Sequence, residues 1–231
     1  MKTIGIIGGL GPESTRDYYK EIIDAFTAKY GEMIYPEIII YSVNINELMK
    51  MIETRNWAGM TAWLVEKIKA LHRAGAEFAV IASNTPHIVF DDIRLKSPIP
   101  LLSIVEETCS KARAMNLKNL GLMGTQLTMA ADFYKKPFIA NGISVVTPSK
   151  EEQQFIQHKL FSEIELGIFK DATRAQLLSI AKRMKDEDDI DALILGCTEL
   201  PLILTENTYG IPFLNTTAIH CDSIIKYCLE A

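Results

Sequence analysis

The sequence predicts an α/β protein built as two pseudo-symmetric lobes, each a mainly parallel sheet flanked by helices. Three observations point there: short apolar runs alternate with helical patterns, two kinds of strand-and-loop segment each occur twice, and the copies are almost equally spaced. TIGIIGG (residues 3–9) reads as a strand and is followed by a helix from about Ser14 to Tyr30. PEIIIYSV (36–43) is the next strand, with helical segments reaching about Ala74; EFAVIAS (77–83) and IPLLSIV (99–105) follow, separated by a short helix. The second half repeats the scheme with KNLGLMG (118–124), ISVVTPS (143–149), DALILGC (191–197) and IPFLN (211–215). Apolar strands alternating with helices are the mark of a parallel sheet whose crossover connections cover its faces.

The internal repeat sharpens this reading. TIGIIGGLGP resembles NLGLMGTQLT, and AEFAVIASNTP resembles DALILGCTELP; 75 positions separate Gly8 from Ser83 and 73 separate Gly124 from Cys197. We expect lobe 1 to comprise residues 1–98, joined by 210–231, and lobe 2 residues 99–209. The four loops then leave the carboxyl ends of parallel strands, where open α/β sheets bind ligands. A two-fold arrangement would place the site in the cleft between the lobes, with Ser83 and Cys197 on opposite walls, roughly 7 to 8 Å apart, leaving each about 3 to 3.5 Å from a carbon between them.

Composition excludes several classes of function. The chain has 231 residues, 48% of them hydrophobic, and a formal net charge of -5 with acidic and basic residues mixed, so no basic stripe awaits nucleic acid. No stretch approaches the roughly 18 consecutive apolar residues that span a bilayer, and MKTIGIIGGLGPEST runs into a glycine-rich loop, so a cytoplasmic protein is expected. The four cysteines (Cys109, Cys197, Cys221, Cys228) lack C-x-x-C spacing and read as free thiols. Cys109 and Cys228 lie in helical stretches as small packing groups. Cys197 differs in context.

Ser83-Asn84-Thr85-Pro86 ends a strand and begins a helix, with Thr85 expected as N-cap and Pro86 in the first turn. Gly196-Cys197-Thr198-Glu199 does the same in the second lobe, with Thr198 as cap. Backbone N–H groups at helix starts attract anions such as a substrate carboxylate. The same field would lower the pKa of Cys197 and make it a base or nucleophile near neutral pH. The bland alternative is a pair of structural caps and a buried small residue.

Through IGIIGGLGPEST, ASNTPH, GTQLTM, LGCTELPL and NTTAIH, in that order, the chain resembles the aspartate/glutamate racemase superfamily, and its aspartate-racemase branch in particular. The resemblance implies an isomerase, an amino-acid racemase or epimerase, that works without pyridoxal phosphate, other cofactor or metal, typically as a homodimer. Two cysteines would flank the α-carbon of a bound amino acid, one thiolate removing the proton and the opposite thiol donating to the other face. Cys197 keeps the second cysteine of that pattern, whereas Ser83 stands at the first. The same matching makes Glu199 an acid-base or orienting group and assigns Asn84, Thr85, Thr125, Thr128 and Thr198 to the substrate's carboxylate and amine. His220 and His87 either line the same cleft or hold its loops. A serine hydroxyl is a far weaker acid than a thiol. The substitution therefore leaves open a one-cysteine decarboxylase or cis-trans isomerase, and also a non-catalytic amino-acid-binding protein. A nucleotide-binding domain is a weaker alternative, because GIIGGLGPES lacks the full G-x-G-x-x-G pattern.

Where relatives of the aspartate branch supply a basic residue for the distal carboxylate, this chain offers SVNINELMKM and FSEIELGIF, with Glu47 and Glu165. Carboxylates beside a bound side chain favour an amine-bearing or neutral substrate over an acidic one; otherwise both glutamates simply face solvent.

Overall fold

The structure, a computed structural model, describes residues 1–31 and 33–230. It divides into one unit of Met1–Glu107 with Thr217–Ala231 and a second of Thr108–Thr216. In the first unit the chain runs β1 (Ile4–Gly8), α1 (Pro12–Tyr30), β2 (Ile38–Ser42), α2 (Ile45–Glu53), α3 (Trp57–Arg73), β3 (Phe78–Ile81), a 3-10 turn (Thr85–Val89), α4 (Phe90–Lys96) and β4 (Leu101–Leu102). Helix α5 (Ile104–Ala114) carries the chain into the second unit. There follow β5 (Asn119–Gly124), α6 (Gln126–Ala130), α7 (Asp132–Ala140), β6 (Ser144–Val146), α8 (Lys150–Ser162), a 3-10 turn (Ile164–Leu166), α9 (Asp171–Asp188), β7 (Ala192–Gly196), α10 (Leu200–Ile203) and β8 (Phe213–Asn215). Helix α11 (Thr216–Leu229) returns to the first unit.

Each unit holds one four-stranded sheet, in the orders β2-β1-β3-β4 and β6-β5-β7-β8, and every strand pair is parallel. The two orders are the same scheme, as the internal repeat implies. All eight expected strands are present. IPLLSIV contributes only two strand residues, because Ile104 and Val105 already belong to α5. Since β4 pairs with β3 and β8 with β7, the chain changes unit after Glu107 and Thr216, beyond the expected boundaries at 98 and 209.

Buried strands must be apolar on both faces, and the period of two sorts their residues accordingly. In the first unit Ile7, Ala79 and Ile81 pack with Leu64, Ile68 and Ile93, while Ile4, Ile6, Phe78 and Val80 pack with Tyr18, Ile22, Phe26, Cys221 and Ile224. In the second, Met123, Leu193 and Leu195 meet Ile156, Leu160, Leu177 and Met184. Among the described residues no helix is long and apolar enough to cross a membrane.

The loop after β1 needs its glycine. Gly9 sits at φ +77°, and a β-carbon there would stand 2.4 Å from the Val43 carbonyl oxygen. Its N–H donates to Thr15 Oγ1 at 2.9 Å, and Pro12 then opens α1 without an amide hydrogen to satisfy.

Candidate active site

In the second unit two strand ends meet closely: a β-carbon on Gly124 would lie 2.8 Å from the Gly196 carbonyl oxygen. The loops after β5 and β7 therefore start side by side. From the first, Thr125 caps α6, its Oγ1 accepting the Thr128 N–H at 3.2 Å and lying 3.0 Å from Thr128 Oγ1. The Gln126 N–H at the same helix start donates to Gln157 Oε1 at 2.7 Å. From the second loop comes Cys197, buried, with Sγ 3.2 Å from Glu199 Oε2 and 3.7 Å from Glu165 Oε1. The Thr198 hydroxyl donates to the same Glu199 Oε2 at 2.8 Å, which fixes that oxygen opposite the thiol.

Two expectations about this loop are corrected. Thr198 does not cap a helix: α10 has four residues, Glu199 occupies the N-cap position, and no side chain makes a capping bond. Nor is Cys197 a low-pKa thiol. Burial, then the charges of Glu199 and Glu165, push it well above its ordinary value, and the Glu199 backbone N–H only partly opposes them. A four-residue helix supplies little field, and the carboxylates nearby outweigh it.

Glu165 reaches this centre from the 3-10 turn after α8. Burial and the neighbouring Glu199 raise its carboxyl well above the usual carboxylate range, favouring the protonated form. Glu163, two residues earlier, faces the other way and meets cations: Oε1 accepts from Lys159 Nζ at 2.7 Å and Lys170 Nζ at 3.1 Å, and Oε2 from the Thr173 hydroxyl at 2.5 Å. Its carbonyl also accepts the Leu166 and Ile168 N–H groups at 3.0 Å. The Glu163 carboxylate thus pins the turn that carries Glu165.

Those bonds hold the Glu163 carboxyl down at about 2, Lys159 first and Thr173 next, with Lys170 adding to them. A carboxyl depressed in the folded state stabilises above its unfolded pKa of about 4.3, and that contribution is lost as pH falls through the folded value. Glu163→Gln is therefore expected to lower the thermal midpoint at pH 7, with the gap to the parent closing between about pH 4 and pH 2. Melting curves across that range check it; a gap that persists at the acid end would show that packing, not charge, is lost.

In the first unit Ser83, Asn84 and Thr85 follow β3 and are all buried. Thr85 is the first residue of the 3-10 turn; Asn84 holds the N-cap position, and no side chain makes a capping bond, which corrects the expected Thr85 cap. His87 stacks on Phe90 with centroids 4.6 Å apart. Burial lowers it to about 3, against the carbonyl side of Ser83 and Asn84. His220 is wholly enclosed. Tyr18 Oη is 2.8 Å from its Nδ1 and the Leu102 carbonyl 3.3 Å from its Nε2, so the hydrogen is assigned to Nε2; burial again lowers the ring to about 3. Both ring nitrogens are committed inside this unit.

The residues expected at the site thus fall into two sets. Cys197, Thr198, Glu199, Thr125 and Thr128 belong to the second unit; Ser83, Asn84, Thr85 and His220 belong to the first. Glu47 is on the surface, paired with Lys50 at 3.4 Å. Sequence reasoning passed over Glu163, Lys159, Lys170 and Thr173, although an E-x-E pair in SEIEL, with lysines on either side, was the available signal. Cys109, Cys221 and Cys228 are buried thiols. Among the described residues, the donor atoms of Glu165, Cys197 and Glu199 all lie within 4.8 Å of one another, a set of one sulfur and two carboxylates that could ligate a divalent cation or serve as an acid-base centre.

Two parallel sheets of one strand order, with a buried thiol beside two carboxyl groups after a strand's carboxyl end, define an α/β protein with a thiol–carboxyl cluster in its second unit. The Asp/Glu/hydantoin racemase family matches residues 7–224. The chain is 26% identical to the broad specificity amino-acid racemase RacX of Bacillus subtilis, over 96% of each chain. An aspartate racemase homologue from Pyrococcus horikoshii superposes with a TM-score of 0.87 at 36% identity, covering 100% of both chains. Picrophilus torridus aspartate racemase gives 0.79 at 25% identity, over 99% of this chain and 94% of that one. The chain belongs to the Asp/Glu/hydantoin racemase family.

Proposed function

We propose that this protein is an amino-acid racemase or epimerase that moves the α-proton without pyridoxal phosphate, with Cys197 as the acid-base group on one face of the α-carbon and Ser83 as the group on the other. The observation that carries the reading is the contact of Cys197 Sγ with Glu199 Oε2 at 3.2 Å, at the end of β7, in a chain of this family. The thiol proton passes to the Glu199 carboxylate, leaving a thiolate; the thiolate takes the α-hydrogen, the electron pair stays on the substrate carbanion until the Ser83 hydroxyl delivers a proton to the other face, and the Glu199 proton returns through solvent to Ser83. A thiol with a raised pKa gives a stronger base once deprotonated, and a substrate ammonium beside it offsets the cost of the charge. Asn84, Thr85, Thr125, Thr128 and Thr198 are proposed to bind the substrate's polar groups.

A one-thiol decarboxylase or cis-trans isomerase acting on a dicarboxylate fits less well, since two added negative charges would meet Glu165 and Glu199. Deuterium incorporation at the α-carbon in D2O, across L- and D-amino acids, tests the reading. Exchange without added cofactor is the expected result. Binding of an amino acid without exchange would make the chain a ligand-binding member of the family, and turnover of malonate- or maleate-type compounds would make it a one-thiol enzyme.

A further inference from the structure

We propose that Glu165 is a specificity-determining residue that selects α-amino acids carrying a second, cationic group on the side chain, an inference that rests on Cys197 being the reacting thiol. A carbon in reacting distance of that thiol sits about 3 to 3.5 Å from Sγ. Glu165 Oε1 lies 3.7 Å from the same sulfur. The carboxyl oxygen and that carbon therefore lie within about 7 Å of one another, inside the reach of a side-chain amine.

The contrast with Glu163 shows what Glu165 lacks. Glu163 has two lysines and a threonine hydroxyl, whereas among the described residues no Lys, Arg or His forms an ion pair with Glu165. Its partners are the Cys197 thiol and the Glu199 carboxyl group. A half-buried carboxyl group placed against a second one, with no cation of its own, disfavours an incoming anion and gains from an incoming cation. A zwitterionic substrate with an apolar side chain adds no net charge to this cluster, and an acidic one makes it worse. A diamino acid supplies the missing positive charge. The raised proton affinity of Glu165 agrees, since burial and the neighbouring Glu199 disfavour its charge, which a cation beside it would restore.

L-ornithine and L-norvaline share a carbon chain and differ by the terminal amine, so their ratio isolates side-chain charge from the α-ammonium. Calorimetric binding of L-ornithine, L-norvaline and L-glutamate to the full chain is the test, with α-proton exchange in D2O measured on the same samples. The parent is expected to bind ornithine at least about tenfold more tightly than norvaline, and glutamate most weakly. Glu165→Gln is expected to bring the ornithine-to-norvaline ratio close to one, Glu165→Asp to retain part of it, and Glu165→Lys to favour glutamate. Glutamate binding as tightly as ornithine in the parent, or an ornithine advantage that survives Glu165→Gln, overturns the assignment. Because binding is read without turnover, the two readings separate: exchange on norvaline with no ornithine preference sinks the charge assignment alone. Ornithine selectivity that depends on Glu165, without exchange on any amino acid, supports the charge assignment and sinks the racemase.

Discussion

Replacement of Cys197 by alanine is expected to lower α-proton exchange by about 10²- to 10⁴-fold, the range typical of a placed acid-base group, while Cys109→Ala and Cys228→Ala stay within a few-fold of the parent. The three thiols are all buried, so burial does not distinguish them. Their neighbours do. Cys109 Sγ is 3.5 Å from the Pro137 carbonyl and Cys228 Sγ 3.1 Å from the Lys2 carbonyl, groups that can accept a hydrogen bond but cannot take a proton at neutral pH. Cys197 Sγ lies beside two carboxyl groups that can exchange a proton with it. Its thiol is held well above the ordinary value, chiefly by burial and then by Glu199 and Glu165, so alkylation by iodoacetamide should be slow at pH 7 and accelerate with rising pH beyond 9. Exchange that survives loss of Cys197 would show that another group is the base.

The direction of that shift was not legible in the sequence, and the reason is physical. A cysteine after a strand and before a helix suggests a helix-terminal field, which acts within one turn. The competing charge comes from Glu165, 32 positions earlier, and no local pattern announces it. The fold was legible because it depends on local periodicity. Runs such as EFAVIAS and DALILGC can bury both faces only within a parallel sheet, and the repeated spacing of their loops anticipated two sheets of one strand order. The points at which the chain changes unit were less so, because they are set by the pairing of β4 with β3 and β8 with β7, which is a tertiary fact. Cys197 and Thr198 were singled out from their strand-to-helix loop, whereas Glu199 and Thr125 entered only through the family resemblance, and the cap that Thr125 makes on α6 was not read from the sequence. The turn carrying Glu165 was visible only as an acidic stretch, since what aims it is a set of bonds from Glu163 to Lys159, Lys170 and Thr173 on two separate helices and the loop between.

Ser83→Cys is expected to raise the rate of inversion by about 10²-fold, and the parent is expected to treat the two enantiomers unequally. Both follow from the proposal that a thiol serves one face of the α-carbon and a hydroxyl the other. For the enantiomer whose α-hydrogen points at Cys197, abstraction has its base, and in D2O the same sulfur can return a deuteron to the face it left, so exchange with retention should outrun inversion. For the other enantiomer the hydrogen points at Ser83, whose hydroxyl is too weak an acid to be deprotonated readily at pH 7, so removal of that proton is slow. None of this biases the equilibrium, which for a free amino acid in an achiral solvent stays at unity; the asymmetry must appear as matched changes in kcat and KM, with kcat/KM equal in the two directions. A second thiol relieves the slow transfer on its own face, so in Ser83→Cys the exchange-to-inversion ratio should fall towards that of a two-base reaction. The measurement is the initial rate of deuterium incorporation and of inversion for each enantiomer, in parent and variant. Equal kinetics for both enantiomers in the parent, with no gain in the variant, would assign the second face to another group, and His87, buried four residues after Ser83, would then be the next side chain to replace.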